Sequence, residues 1–449
     1  MSKKKQCITW LCLLFMAIVA SFAACGTRGN AYEGENYPDY GYEAYPDYIN
    51  NEIVAYEAPV AHEASVLPSL HITIDARDIH RHDWQEVIVS LDGSDYEFDE
   101  TEARIRGRGN STWRYMGEKR PFRIRFDTAR PMFGSDYAAR DWVFLANAID
   151  YSMMRNYAAY YLAYLFGRAG FAPARHFVHV YTNGEYRGVY MLSDQVQVHY
   201  GRVDITLDRD PALSEYLIEW CRHHKSPDDV YFVVNGIPFV IKHTSSRYET
   251  DGHVAFASEF ITQIDTAIRS LDFETLEPLI CVPSFVDLYL VNEFTKNADV
   301  SFSSLNFTIR RRANGTRLVA GPIWDFDQSA GGSYAHWYPD YSPRRIWAAL
   351  SNTWFAHMIL IPEFRDEVAR RWYEVRDDQI VTMIERLEEL AAIYRACFER
   401  NFERWPDKLG NYLWRTPATV VAIPTFVGQV EYLTDWFRQR AVWMDGWLL

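Results

Sequence analysis

Apolar and polar residues alternate along most of the first half of the chain, and apolar residues recur at helical spacing along much of the second. Ile72-Thr73-Ile74 and Val87-Ile88-Val89 have strand-type composition, and Asp92-Gly93 marks a turn. Residues 103–127 read as two strands around a loop carrying Gly107 and Gly109. In the second strand Phe122, Ile124 and Phe126 alternate with Arg123 and Arg125, the pattern of a half-buried strand with a cationic outer face. Residues 141–146 make a short apolar strand, and a helix is expected over about 152–168, closing at Gly170. Asn183-Gly184 lies between apolar runs at 178–181 and 186–192. It predicts a hairpin, because both central residues of the tight turn need positive φ.

Beyond Asp251 the period becomes helical. One helix is expected over 284–294, and one carries Phe364, Val368, Trp372 and Val375. Another carries Ile380, Met383, Ile384, Leu387, Leu390 and Tyr394. Strands first and helices later describe an α+β chain with two lobes.

A 48% hydrophobic, 24% charged composition over 449 residues excludes a disordered, collagen-like or multi-span membrane chain. Lys+Arg 46 against Asp+Glu 60 leaves a formal charge of −14, which argues against nucleic acid as a partner. Any anionic ligand must therefore meet a local basic site. At the N-terminus, Lys3-Lys4-Lys5 precedes an uncharged run from Ile8 to Ala24, and Ala23-Ala24-Cys25 ends it. Residues 1–24 thus resemble a lipoprotein signal, with Cys25 as the lipidated residue that anchors an extracytoplasmic, cell-surface protein to a bacterial membrane. A plain secretory signal and an uncleaved span are the competing readings. Residues 25–67 include two Tyr-Pro-Asp-Tyr repeats, and eight acidic residues with no Lys or Arg between Ala31 and Glu63. They read as a flexible tether. Residues 68–449 form the folded part, divided into lobes of about 68–220 and 221–449. After the signal only Cys221, Cys281 and Cys397 remain, too few and too scattered for a disulfide scaffold.

Two segments carry chemistry. In Arg106-Gly107-Arg108-Gly109-Asn110-Ser111-Thr112 the glycines allow close backbone approach to a ligand. The polar residues donate hydrogen bonds and the arginines add charge, a combination suited to phosphate oxygens. A tight turn between solvated arginines is the plainer alternative. The second is acidic: Asn297-Ala298-Asp299 follows a predicted helix, Asn306 lies seven residues beyond Asp299, and Trp324-Asp325-Phe326-Asp327 is expected to end an apolar strand. Hard oxygen ligands of this kind suit Mg²⁺, which takes a few carboxylates and completes its shell with phosphates. Asp299 could orient a hydroxyl and accept its proton. A catalytic Asp, an Asn a few residues on and an Asp-Phe-x run after the next strand are the parts a protein kinase uses. Capping and turn aspartates are the plainer alternative. Cys221, His223 and His224 lack a second ligand pair, and the C-terminal tryptophans Trp372, Trp414, Trp436, Trp443 and Trp447 read as packing rather than a sugar platform.

Together these segments resemble the spore-coat protein H (CotH) kinase family, secreted or surface proteins with an atypical protein-kinase fold. The resemblance runs through residues 106–113, 119–125, 141–147, 150–156, 180–190, 216–219, 292–299 and 321–327. It implies a two-lobed kinase-like fold and Mg²⁺- and ATP-dependent phosphoryl transfer to Ser or Thr of a surface or coat protein. Asp299 matches the family's catalytic aspartate and Asp325 its metal-binding one, with Asn306 and Asp327 as second metal candidates. Residues 107–112 would cover the phosphates, and Arg155 and Asn156 would lie on the helix beside the site. Which of Lys119, Arg123 or Arg125 supplies the phosphate-binding cation stays open. The alternatives to an active kinase are a kinase-shaped binding module and a carbohydrate-active or carbohydrate-binding lipoprotein.

The anchoring expectation is directly testable: Cys25→Ser should release the protein into the medium or leave it unprocessed. Membrane fractionation that recovers the variant in the processed wild-type form would exclude lipidation at Cys25.

Overall fold

The computed structural model describes residues 66–76, 78–222, 229–242, 248, 250–313, 315–333, 340–413 and 415–448. The signal segment, nearly all of the tether, His223, His224 and Trp414 lie outside the described residues. Seven strands come first: β1 (Ser69–Thr73), β2 (Gln85–Asp92), β3 (Phe98–Gly107), β4 (Phe122–Arg130), β5 (Ala139–Leu145), β6 (His176–Thr182) and β7 (Glu185–Asp194). They pair in the order β1-β2-β3-β4-β5-β7-β6, and a parallel β1–β6 pairing closes the barrel. Alternation leaves each strand one apolar face, and closure hides those faces together. Leu70, Ile72, Val87, Val89, Ile105, Phe122, Ile124, Trp142, Phe144, Val180 and Leu192 fill this core. The predicted hairpin is β6–β7, with Asn183 and Gly184 at φ 50° and 78°.

A second, antiparallel sheet contains β8 (Tyr216–Trp220), β9 (Tyr231–Val234), β10 (Ile237–Ile241), β11 (Leu305–Arg312) and β12 (Gly315–Ala320), in the order β12-β11-β8-β10-β9. The helices are α1 (Ser111–Tyr115), α2 (Arg155–Phe166), α3 (Asp251–Ser270), α4 (Val282–Thr295), α5 (Pro362–Val375), α6 (Gln379–Ile393), α7 (Arg395–Arg404) and α8 (Phe426–Leu448), besides shorter turns. The chain is therefore α+β, β-rich in its first half and helical in its second. The strand expected to run into Asp325 stops instead at Ala320, because Pro322 has no N–H to continue the ladder. Gly321 takes φ 105°, and a Cβ there would lie 1.8 Å from the Ala169 carbonyl oxygen. The chain after β12 is thereby held against the turn following α2.

One apolar cluster joins the outer side of the barrel (Val143, Val189, Met191) to α2, the second sheet and the C-terminal helices. The described C-terminal tryptophans pack as expected: Trp372 is buried and donates to Asp445 at 2.7 Å, and Trp436 donates to the Tyr341 carbonyl at 2.9 Å. Cys221, Cys281 and Cys397 are buried. Among the described residues no helix is long and apolar enough to cross a membrane.

Helix α4 is apolar on nearly all sides and is buried accordingly. Its few charges are therefore paired. Glu293 meets Arg440 of α8 at 2.6 Å, both side chains fully buried. The same carboxylate accepts the Trp347 and Ala348 N–H groups at 2.7 and 2.8 Å. Truncating one partner strands the other charge in the core. Arg440→Met should lower unfolding stability by about 3–5 kcal/mol, read by chemical denaturation. The double variant Glu293→Gln/Arg440→Met should lose less than the single one.

Candidate active site

The glycine loop leaves the barrel where β3 ends. A Cβ on Gly107 would lie 2.1 Å from the Trp113 ring, and one on Gly109, at φ 83°, 2.5 Å from the Thr112 hydroxyl oxygen. Neither position tolerates a side chain without rearrangement. Asn110 is exposed, Ser111 and Thr112 begin α1, and Arg81 donates to the Gly109 carbonyl at 3.0 Å. The loop thus places Arg108 with its guanidinium 5.3 Å from the centre of the Trp324 ring. Burial lowers its pKa, and Asp325 and Asp327 act in the opposite direction, so Arg108 is the loop cation that faces the acidic segment.

That segment is gripped by the start of α2. Asn156 accepts the Phe326 N–H at 2.7 Å, and Arg155 donates to the carbonyls of Ser329 and Ala330 at 2.9 and 3.3 Å. Arg155 also forms a fully buried ion pair with Asp150, whose other oxygen accepts the Arg155 N–H at 2.8 Å. Trp324 stacks on Tyr160 of α2 with 5.6 Å between ring centres. Asp325 itself has φ 69°, an uncommon left-handed conformation for a residue with a Cβ.

Asp299 arrives from the loop after α4. Asn297 accepts the Asp299 N–H at 3.1 Å, and Gln328 donates to the Asp299 carboxylate at 2.9 Å. Ser304 reaches the Asp325 carboxylate at 3.4 Å. Burial and then the neighbouring Asp325 push the Asp299 pKa up to about 7, with Arg415 opposing. Burial, Asp325, Asp299 and Asp150 drive Asp327 well above the usual carboxylate range, against Arg108. Charges this close cannot all ionise in a buried site without a cation.

The donor set fits a hard cation. Asn306 is buried beside this loop and donates to the Pro322 carbonyl at 3.1 Å, while its Oδ1 and the Gln328 Oε1 accept no hydrogen bond among the described residues. Such orphaned oxygens beside carboxylates suit a Mg²⁺ shell. No three His, Cys, Asp or Glu side chains among the described residues make a metal cage by themselves. Mg²⁺ held through Asp325, Asp327 and Asn306 would thus complete its shell with water or ligand oxygens.

The sequence-derived cations separate. Lys119 is buried and donates to the Ala146 carbonyl and, at 3.0 Å, to that of Val189. Of the acids described above, Asp150 is the one that acts on it. Arg123 and Arg125 both bind Asp141, at 2.7 and 2.8 Å, and Arg106 lies with them around Trp84. These three line the outer face of the barrel instead of facing the aspartates. Sequence reasoning assigned no role to Asp150, Tyr160, Trp324, Gln328 or Arg415. Trp324 and Gln328 flank the Asp-Phe-Asp run and were within reach of it, but nothing in sequence links Arg415 to Asp299.

The CotH kinase protein family model matches residues 105–444, most of the chain. No curated protein matches it.

Burial, then Lys408, lowers the Lys119 pKa from 10.5 to about 7, with Asp150 opposing. Between these values the unfolded chain binds a proton that the folded chain does not, so this group adds stability as pH rises from about 7 toward 10. Lys119→Met should remove that contribution. Denaturation midpoints at pH 7, 8 and 9 should show the advantage of wild type over the variant growing with pH.

Proposed function

Because the chain belongs to the CotH kinase family, we propose that it is a surface-anchored, Mg²⁺-dependent atypical protein kinase. It transfers the γ-phosphoryl group of ATP to Ser or Thr of a surface or coat protein, and its β-rich and helical halves serve as the two lobes. The supporting observation is the meeting of Asp299, Asp325 and Asp327 with Arg108 of the glycine loop. Asp325, Asp327 and Asn306 would hold Mg²⁺, which when bound neutralises phosphate charge and orients the transferred group.

Backbone N–H groups and the Ser111 and Thr112 hydroxyls of the glycine loop would bind phosphate oxygens. Arg108 takes the part usually played by a strand lysine, its planar fork matching two oxygens at once. Stacking on Trp324 limits its rotamers, so less entropy is lost when phosphate binds. Asp299 aligns the acceptor hydroxyl and takes its proton. Burial raises the proton affinity of this carboxylate, the direction a general base needs. Arg155 and Asn156 position the metal-binding loop and touch no substrate. Lipid on Cys25 would keep the enzyme at the outer membrane face, beside such acceptors.

One observation favours the second reading, a kinase-shaped binding module: the Lys119 ammonium is committed to backbone carbonyls. Two variants separate the readings. For the kinase, ATP should raise the melting temperature with Mg²⁺ and much less in EDTA, and Asp325→Asn should abolish the Mg²⁺-dependent part. Asp299→Asn should retain ATP binding yet cut radiolabel transfer from γ-labelled ATP by about 10²–10⁴-fold. Wild type without transfer to any Ser- or Thr-containing acceptor would leave the binding module.

A further inference from the structure

The outer face of the barrel carries a second charged site, built from the arginines that do not face the aspartates. In the β3–β4 ladder Arg104 lies directly opposite Arg125, and Arg106 directly opposite Arg123. Like charges thus face each other twice in succession, where opposite charges would stabilise the ladder. The guanidiniums of Arg106, Arg123 and Arg125 lie 4.7, 5.4 and 4.7 Å from the centre of the Trp84 ring.

Counter-charge is short. Asp141 alone serves both Arg123 and Arg125. Asp127 approaches Arg104 and Arg140 only to 3.9 Å, and Glu86 of β2 stands opposite Arg104. Among the described residues Arg104, Arg123, Arg125 and Arg140 share the carboxylates of Asp127 and Asp141, and Arg106 has no ion pair within 4.0 Å, in a chain whose formal charge is −14. The side chains of Arg104 and Arg125 are still 32% and 31% exposed. Asp141 is the carboxylate that acts on Arg106 and Arg123, whereas Asp325 and Asp327 act on Arg108.

We propose that this patch docks an acidic segment of a partner protein, a short extended run of Asp or Glu lying over Trp84. The four ladder arginines form a lattice about 5 Å across the strands and 7 Å along them. The longer spacing matches alternate side chains of an extended peptide, and each planar guanidinium can take a carboxylate bidentately. A lattice of this size suits two or three carboxylates, and the net charge of the chain opposes a long polyanion such as nucleic acid. β3 ends at Gly107, directly after Arg106 of the patch and directly before Arg108, the loop cation that faces Asp325 and Asp327. A segment docked there would lead toward the aspartates. Docking does not depend on the kinase reading, but where that reading holds it selects acceptors with acidic runs near the modified hydroxyl.

The test is fluorescence anisotropy of the full chain with fluorescein-labelled decaglutamate and, as control, decaglutamine. Decaglutamate should bind, more weakly as salt rises, and decaglutamine should not. Arg104→Gln/Arg125→Gln should weaken binding at least about tenfold, whereas Asp141→Asn, which removes the competing carboxylate, should tighten it. An effect in that second direction cannot come from misfolding. Absence of binding at low salt, or equal binding by the double arginine variant and wild type, would overturn the proposal. So would loss in that variant of a Mg²⁺-ATP melting shift present in wild type, since the patch would then belong to the nucleotide. A wild-type chain lacking that shift would count against the kinase reading and leave the peptide result standing.

Discussion

Two adjacent side chains at the start of α2, Arg155 and Asn156, hold the loop that carries Asp325 and Asp327. Their hydrogen bonds go to backbone atoms of Phe326, Ser329 and Ala330, so the grip is on the shape of the loop and not on either carboxylate. Asp150 neutralises Arg155 where no water reaches it, and without that pair the guanidinium would be too costly to bury. A would-be Cβ on Gly332 would lie 2.3 Å from Arg155, so the loop closes tightly over the guanidinium. The positive φ of Asp325 is sustained by this surrounding framework.

From that fixed loop the rest of the site follows. Trp324 is pressed on Tyr160 and in turn receives Arg108, so the glycine loop of the barrel meets the acidic loop through an aromatic ring. Asn297, which supports the turn of Asp299, also lies 3.5 Å from the Asp325 carbonyl. Three chain segments far apart in sequence thus converge on a small volume rich in carboxylate oxygens. Such a cluster is electrostatically unfavourable alone. Its raised proton affinities are the direct expression of that cost, and a divalent cation with phosphates is a ligand that would relieve it.

The arginines sort by which face of the barrel wall they occupy and by what lies beyond it. Arg108 reaches the aspartates, whereas Arg106, Arg123 and Arg125 gather on Trp84 around one buried carboxylate. Lys119 turns inward to cap carbonyls of the barrel wall. These outcomes differ although all five lie within one short stretch of sequence.

Local pattern was enough for most of the elements and for the segments that line the candidate site. Alternation at Phe122, Ile124 and Phe126 determined which side of β4 is buried, Asn183-Gly184 determined a hairpin, and heptad-like spacing determined α5 and α6. The Asp-Phe-Asp and Gly-x-Gly runs pointed to both loops of the candidate site, although a plain turn would carry the same residues. Closure of the barrel was decided by the parallel β1–β6 pairing, which joins strands about a hundred residues apart and leaves no local trace. The choice of Arg108 over Lys119, Arg123 or Arg125 was likewise tertiary. Local sequence separates a loop arginine from strand arginines but not their partners, and a charge finds its partner according to which buried surfaces meet, here Trp324 with the end of β3 and Asp141 with β4.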